Sequence, residues 1–180
     1  MSNPHASCPQ ATVTAATHAT FQATSQAASQ TASQTTFQAT TEASSQAELM
    51  ERCIELVSER AEDLATLVYP RFFARFPEAD ELFGGSIGEG AKSNMILLLV
   101  FQLLELAEGK VYHHNIERWI NDHIAYGVTL PMYATMFEAL ISSLQQVLGA
   151  DWNPAMGEAW DCQIDKVMAY IERLYAAEMA

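Results

Sequence analysis

From residue 47 to the end of the chain, apolar side chains recur every three or four residues, and no run alternates apolar with polar. That spacing follows the α-helix repeat, whereas a half-buried strand needs a period of two. The first stretch, Glu48 to Val57, puts Leu49, Met50, Cys53, Ile54 and Val57 on one face. The next, Ala61 to Phe76, offers Leu64, Leu67, Val68 and Phe72, with Pro70 inside it. A proline there removes one backbone hydrogen bond and is expected to bend the helix. Pro77-Glu78 opens a short turn that runs to Leu82-Phe83, and Gly84, Gly85, Gly88 and Gly90 mark a connection. Lys92 to Glu108 is apolar on every side in its middle, the pattern of a helix buried over most of its circumference.

Gly109 is placed to end that helix. A shorter one is expected from about His113 to Tyr126, then one capped by Thr129 with Pro131 in its first turn. It carries Tyr133, Met136, Phe137, Leu140, Ile141, Leu144 and Leu148, and Gly149 stops it. Asn153-Pro154 starts a last helix bearing Trp160, Ile164, Val167, Met168, Ile171 and Leu174. No hairpin dipeptide such as Asn-Gly occurs. Residues 47–180 therefore read as one all-α domain of six or seven helices.

Residues 1–46 have a different character. They hold one charged side chain, Glu42, among Ala, Thr, Ser and Gln. Gln22, Gln26, Gln30, Gln34 and Gln38 fall every four residues, and Thr20-Phe21-Gln22-Ala23-Thr24 recurs as Thr36-Phe37-Gln38-Ala39-Thr40. Two phenylalanines cannot offset the entropy of ordering such a segment, so a disordered, low-complexity tail is expected.

The 180 residues carry 9 Lys and Arg against 22 Asp and Glu, a formal net charge of −13. That balance argues against nucleic acid and against an anionic membrane surface as partners. The longest unbroken apolar run, Met95 to Phe101, is too short to cross a bilayer, and no secretory signal is visible at the N-terminus. Three cysteines, Cys8, Cys53 and Cys162, are odd in number and lack CxxC and CxxCH spacing. They suggest neither a disulfide framework nor a thiolate zinc site, and they exclude thioether attachment of haem. The expected compartment is the cytoplasm. No GxGxxG, GxxxxGKS/T or HExxH motif occurs, and the acids fall mainly on polar helix faces. Attention passes to the histidines: His5 and His18 in the tail, His113 and His114 at a helix start, and His123 near the end of that helix.

The surroundings of His123 resemble a known pattern. Val68-Tyr69-Pro70-Arg71-Phe72-Phe73-Ala74-Arg75-Phe76-Pro77-Glu78-Ala79-Asp80-Glu81-Leu82-Phe83 is similar to the second helix and short third helix of the globin family. Ile116-Glu117-Arg118 through His123 to Val128 is similar to the family's proximal helix and the corner after it, and Ala159-Trp160 to a pair in its last helix. From about residue 44 onward the chain resembles bacterial single-domain globins and the haem domain of flavohaemoglobins. The resemblance implies a three-on-three helical globin fold holding one haem b. It makes His123 the proximal iron ligand, Tyr69 a distal tyrosine, and Phe83 the ring packed flat on the porphyrin. Val128 would touch the proximal face, and Tyr133 would lie near the proximal histidine.

The chemistry is consistent with that reading. A neutral imidazole is a good axial ligand for haem iron and leaves the opposite position open to a diatomic gas. A porphyrin disc needs apolar walls, which Phe83, Met95, Ile96, Leu99, Val128 and Met136 are suited to supply. Lys92, His114 and Arg118 are candidate neighbours of the propionates at the rim. One departure stands out. Counting back from His123, the position where the family usually carries His or Gln falls on Ala91, with Gly90 or Lys92 in shifted alignments and Met95 one turn further along. The distal hydrogen bond then falls to Tyr69, or to Lys92 swinging in. The implied function is reversible binding of O2, with NO and CO as further ligands. NO dioxygenation or peroxidase-like turnover would need an external reductase. The alternative is a haem-free, globin-like interaction or stress-sensor module, against which His123 itself argues.

Overall fold

Six α-helices and two 3-10 turns account for nearly all of the residues described by the computed structural model, which are 45–61, 63–83, 89–110 and 113–178. Among them there is no strand. Helix α1 spans residues 45–58, α2 Ala65–Arg75, α3 Glu89–Ala107, α4 His113–Ala125, α5 Leu130–Leu148 and α6 Pro154–Glu178. The 3-10 turns are Pro77–Phe83 and Gly149–Asp151. The tail, for which disorder is expected, lies outside the described residues as far as 44. Helix α1 takes in the end of the glutamine repeat, because the buried Gln163 amide donates to Gln46 Oε1 at 2.9 Å.

Helix α2 packs on α5 and on α3, while α6 packs on α3, α4 and α5. The centre of this arrangement is apolar: Met50 and Cys53 of α1, Val68 of α2, Leu140 and Leu144 of α5, and Trp160 and Ile171 of α6 are fully enclosed. Burial pushes the Cys53 thiol up to about 11, with the Trp160 N–H pulling the other way, so Cys53 behaves as a small hydrophobe. Helix α2 continues through Pro70. Its start is tied by Asp63, whose Oδ1 accepts from the Ala65 N–H at 2.9 Å. Thr129 is extended, as a cap residue should be, but its side chain makes no capping bond. Asn153 does cap, accepting from the Met156 N–H at 3.0 Å.

Helix α3 begins three residues before the start read from the sequence, at Glu89. Its stretch Gly90–Ala107 has the length and the mean hydropathy, 1.3, that a membrane span requires. The structure shows another use for that apolarity. Burial over most of the circumference, expected from the sequence, is not found: Ile96, Val100, Leu103 and Ala107 are buried in the core and Met95, Leu98 and Leu99 line a cavity, but Leu97, Phe101 and much of Leu98 are exposed. The helix ends at Gly109 (φ +75°), where the Lys110 N–H reaches the Glu105 carbonyl and the Gly109 N–H reaches Leu106.

Candidate functional site

Among helices α2, α3, α4 and α5 lies a cavity of about 1020 Å³ including its open mouth. Helix α2 and the Pro77–Phe83 turn supply Tyr69, Phe72, Ala79 and Phe83. From α3 come Met95, Ile96, Leu98 and Leu99. Helix α4 and the corner after it supply Trp119, His123, Tyr126 and Val128, and α5 supplies Met132, Tyr133, Met136 and Phe137. The walls are apolar and aromatic, with few polar atoms.

The imidazole of His123 is held by its own helix. Its Nδ1 lies 2.8 Å from the Trp119 carbonyl, one turn earlier. A carbonyl only accepts, so Nδ1 carries the proton and Nε2 keeps a free lone pair. Burial pushes the His123 pKa below its ordinary value, opposed by the Trp119 carbonyl and by Asp122. The neutral, ligating form is therefore favoured. The indole of Trp119 lies 4.5 Å from the imidazole centroid and the Tyr133 ring 5.9 Å. The corner that follows is fixed by the backbone. Gly127 sits at φ +79°, its N–H reaches the Ile124 carbonyl, and the Val128 N–H reaches the carbonyl of His123 at 3.0 Å. This helix-ending motif, which a glycine enters without strain, carries Val128 into the cavity wall. The Tyr175 hydroxyl donates to the Val128 carbonyl and so ties α6 to the same corner.

On the other wall the ordering is tertiary. The Tyr69 ring stacks on Phe73 at 5.5 Å and meets Phe83 edge-on at 5.1 Å. Its hydroxyl donates to the Met95 thioether across 3.9 Å, linking α2 to α3. Burial, reinforced by the Asp63 charge, pushes the phenol up to about 12, so it stays a donor at neutral pH. Asp63 in turn accepts from the Ser93 hydroxyl at 2.5 Å.

Nine of the residues singled out in the sequence line this cavity: Tyr69, Phe83, Met95, Ile96, Leu99, His123, Val128, Tyr133 and Met136. Lys92 does not. Its ammonium lies over the Phe73 ring at 4.9 Å and pairs with Asp80 at 3.3 Å, beside a second cavity next to Tyr69. Arg118 is exposed, Ala91 is half-buried and absent from the lining, and the His114 side chain lies outside the description. The sequence reading passed over Trp119 and Met132. Each stands four residues before a chosen residue on the same helix face, His123 and Met136, and that spacing was the available signal. Ala79 and Tyr126 carried no comparable signal.

The globin family profile matches residues 66–171, more than half of the chain. A stretch of 51 residues is 31% identical to a leghaemoglobin of Canavalia lineata. That likeness covers 28% of this chain and 34% of the leghaemoglobin, about a third of the relative's length.

Proposed function

Because this chain belongs to the globin family, we propose that its cavity holds one haem b with His123 as axial ligand and that it reversibly binds O2, with NO and CO as further ligands. The observation that carries this reading is the His123 imidazole, anchored through Nδ1, neutral, and lining an otherwise largely apolar, aromatic cavity. The iron, when present, supplies an open position for a diatomic gas.

The chain's own residues do the rest. Phe83, Leu99, Val128 and Met136 give the apolar contact that excludes water and seats a flat ring. Trp119 fixes the tautomer and the plane of the imidazole. Its acceptor is a neutral carbonyl. A carboxylate there would raise the basicity of the ligand. The carbonyl favours reversible gas binding over oxidative turnover. Tyr69 is the donor suited to the outer atom of a polar gas such as O2. The test is the visible spectrum of the purified full-length protein. A Soret band with gas-sensitive ferrous bands is expected. A protein that stays colourless after haem is added refutes the reading and favours the haem-free module.

A further inference from the structure

The cavity between α3 and α4 contains a second candidate for iron. We propose that Met95 is the sixth, exchangeable ligand, so that the resting haem site is held by His123 from one side and the Met95 thioether from the other. This rests on the haem-binding reading above and goes beyond it.

His123 lines the cavity from α4 and Met95 lines it from α3. On the walls formed by α2, the Pro77–Phe83 turn and α3, two lining residues have side-chain donor atoms, Tyr69 and Met95. The Tyr69 hydroxyl is already directed at the Met95 sulfur. Lys92 is outside the lining, caged by Asp80 and the Phe73 ring. The thioether needs no deprotonation and is an established partner of histidine on haem iron. Its sulfur has two lone pairs. The Tyr69 hydroxyl occupies one at 3.9 Å, which positions the sulfur and leaves the other available.

Exchange then needs neither electron nor proton. The Met95 thioether would give way to the gas as a neutral two-electron donor, and the Tyr69 hydroxyl would turn from the sulfur to the outer atom of the gas. Tyr69 is thus a positioning residue for Met95 at rest and a direct donor to the ligand afterwards.

The test uses the full-length holoprotein with its eight methionines labelled at the 13C methyl. In the ferrous state one methyl is expected far upfield, where the porphyrin ring current places an axial methionine. The deoxy spectrum should be six-coordinate, and the ferric form should show the weak far-red sulfur-to-iron band. Met95→Leu should keep the Soret band, lose all three features and become five-coordinate. If a tenth of the resting protein is five-coordinate, CO affinity in the variant should rise about tenfold. In wild type, CO binding should level off at high CO, limited by sulfur release, and in Met95→Leu it should not. A five-coordinate wild type with no shifted methyl overturns the proposal while leaving haem binding intact. Six-coordination that survives in Met95→Leu also overturns it. Absence of any Soret band removes it together with the functional reading. Should Met95→Leu fail to fold, the methyl spectrum of the wild type decides alone.

Discussion

The two walls of the cavity are ordered by different means. On the α4 side, the hydrogen bonds of His123 and of the corner after it are mostly local: a carbonyl four residues back, a glycine four residues on, and an N–H returning from Val128, with Tyr133 and Tyr175 adding contacts from α5 and α6. On the α2–α3 side, Tyr69 stacks on Phe73 of its own helix and is held further by residues distant in the chain, Phe83 from a 3-10 turn and Met95 from another helix. The first wall is built from short-range backbone geometry and presents one fixed basic atom. The second is built from packing and presents a donor and a thioether whose pairing can change. A fixed ligand opposite an adjustable surface suits a site that must keep its cofactor while exchanging a gas.

The largest effect expected from breaking this asymmetry is on the fixed side. His123→Ala removes the only imidazole among the described residues of the cavity lining while leaving its apolar walls. Most of the haem should be lost, or bound with an altered Soret band. An unchanged deoxy spectrum would refute the assignment. Lys92→Ala, outside the lining, should leave the spectrum as it is.

On the adjustable side, Tyr69→Phe should speed O2 dissociation by roughly one to two orders of magnitude. A hydrogen bond to a strongly polarised group contributes about 1.5–3 kcal/mol, and each ~1.4 kcal/mol is tenfold. CO carries less charge, and its dissociation should change far less. Stopped-flow displacement of both gases separates the two outcomes, since a packing disturbance would move them alike.

Both walls carry a buried tyrosine, and alkaline titration compares them. Burial raises the phenols of Tyr69, to about 12, and of Tyr133 above the ordinary value of 10.0. Below pH 10 both folded and unfolded chains keep these protons. Above it the unfolded chain releases them first, so stability falls as pH rises toward the folded values. Each tyrosine contributes a slope of about 1.4 kcal/mol per pH unit in that window. Urea unfolding of the haem-free protein at pH 9, 10 and 11 reads it. Tyr69→Phe and Tyr133→Phe should each flatten the profile, and if neither does, these phenols are not the groups responsible.

A smaller effect is expected at the corner after α4. Gly127→Ala puts a Cβ into open space but at φ +79°, a strain of about 1–2 kcal/mol. The melting temperature should fall by several degrees, with CO kinetics nearly unchanged. If O2 release shifts instead of stability, the two walls are more coupled than their architecture implies. The smallest effect should come from outside both walls. A chain starting at Ser45 should bind haem as fully as the whole protein and melt within a few degrees of it. A large loss of helicity would show that the repeat docks on the core.

The two walls also differ in how far they could be read in advance. Helix order, the stops at Gly109 and Gly149 and the Asn153 cap follow from periodicity and short-range rules, because helix ends answer to their nearest neighbours. The candidacy of His123 and Val128 comes from the resemblance to the globin family. A helix position near the cavity is visible in the chain, but the direction of a long side chain such as that of Lys92 is decided by whichever acid and rings come near it, here Asp80 and Phe73. Trp119 was within reach through its four-residue spacing from His123, yet its role depends on its carbonyl, which every residue has. Ala79 was out of reach, since a small residue lines a cavity only because of what packs around it.

The amino-acid order alone carries the all-helical class, which depends on hydrophobic period, a property of the chain. That α3 turns its apolar surface partly to a cavity and partly to the core, that the Tyr69 hydroxyl meets the sulfur of Met95, and that Gln163 is paired with Gln46 were decided only when the helices packed. Contacts between residues far apart in sequence are set by the relative placement of whole helices, and no local pattern encodes a distance across a cavity.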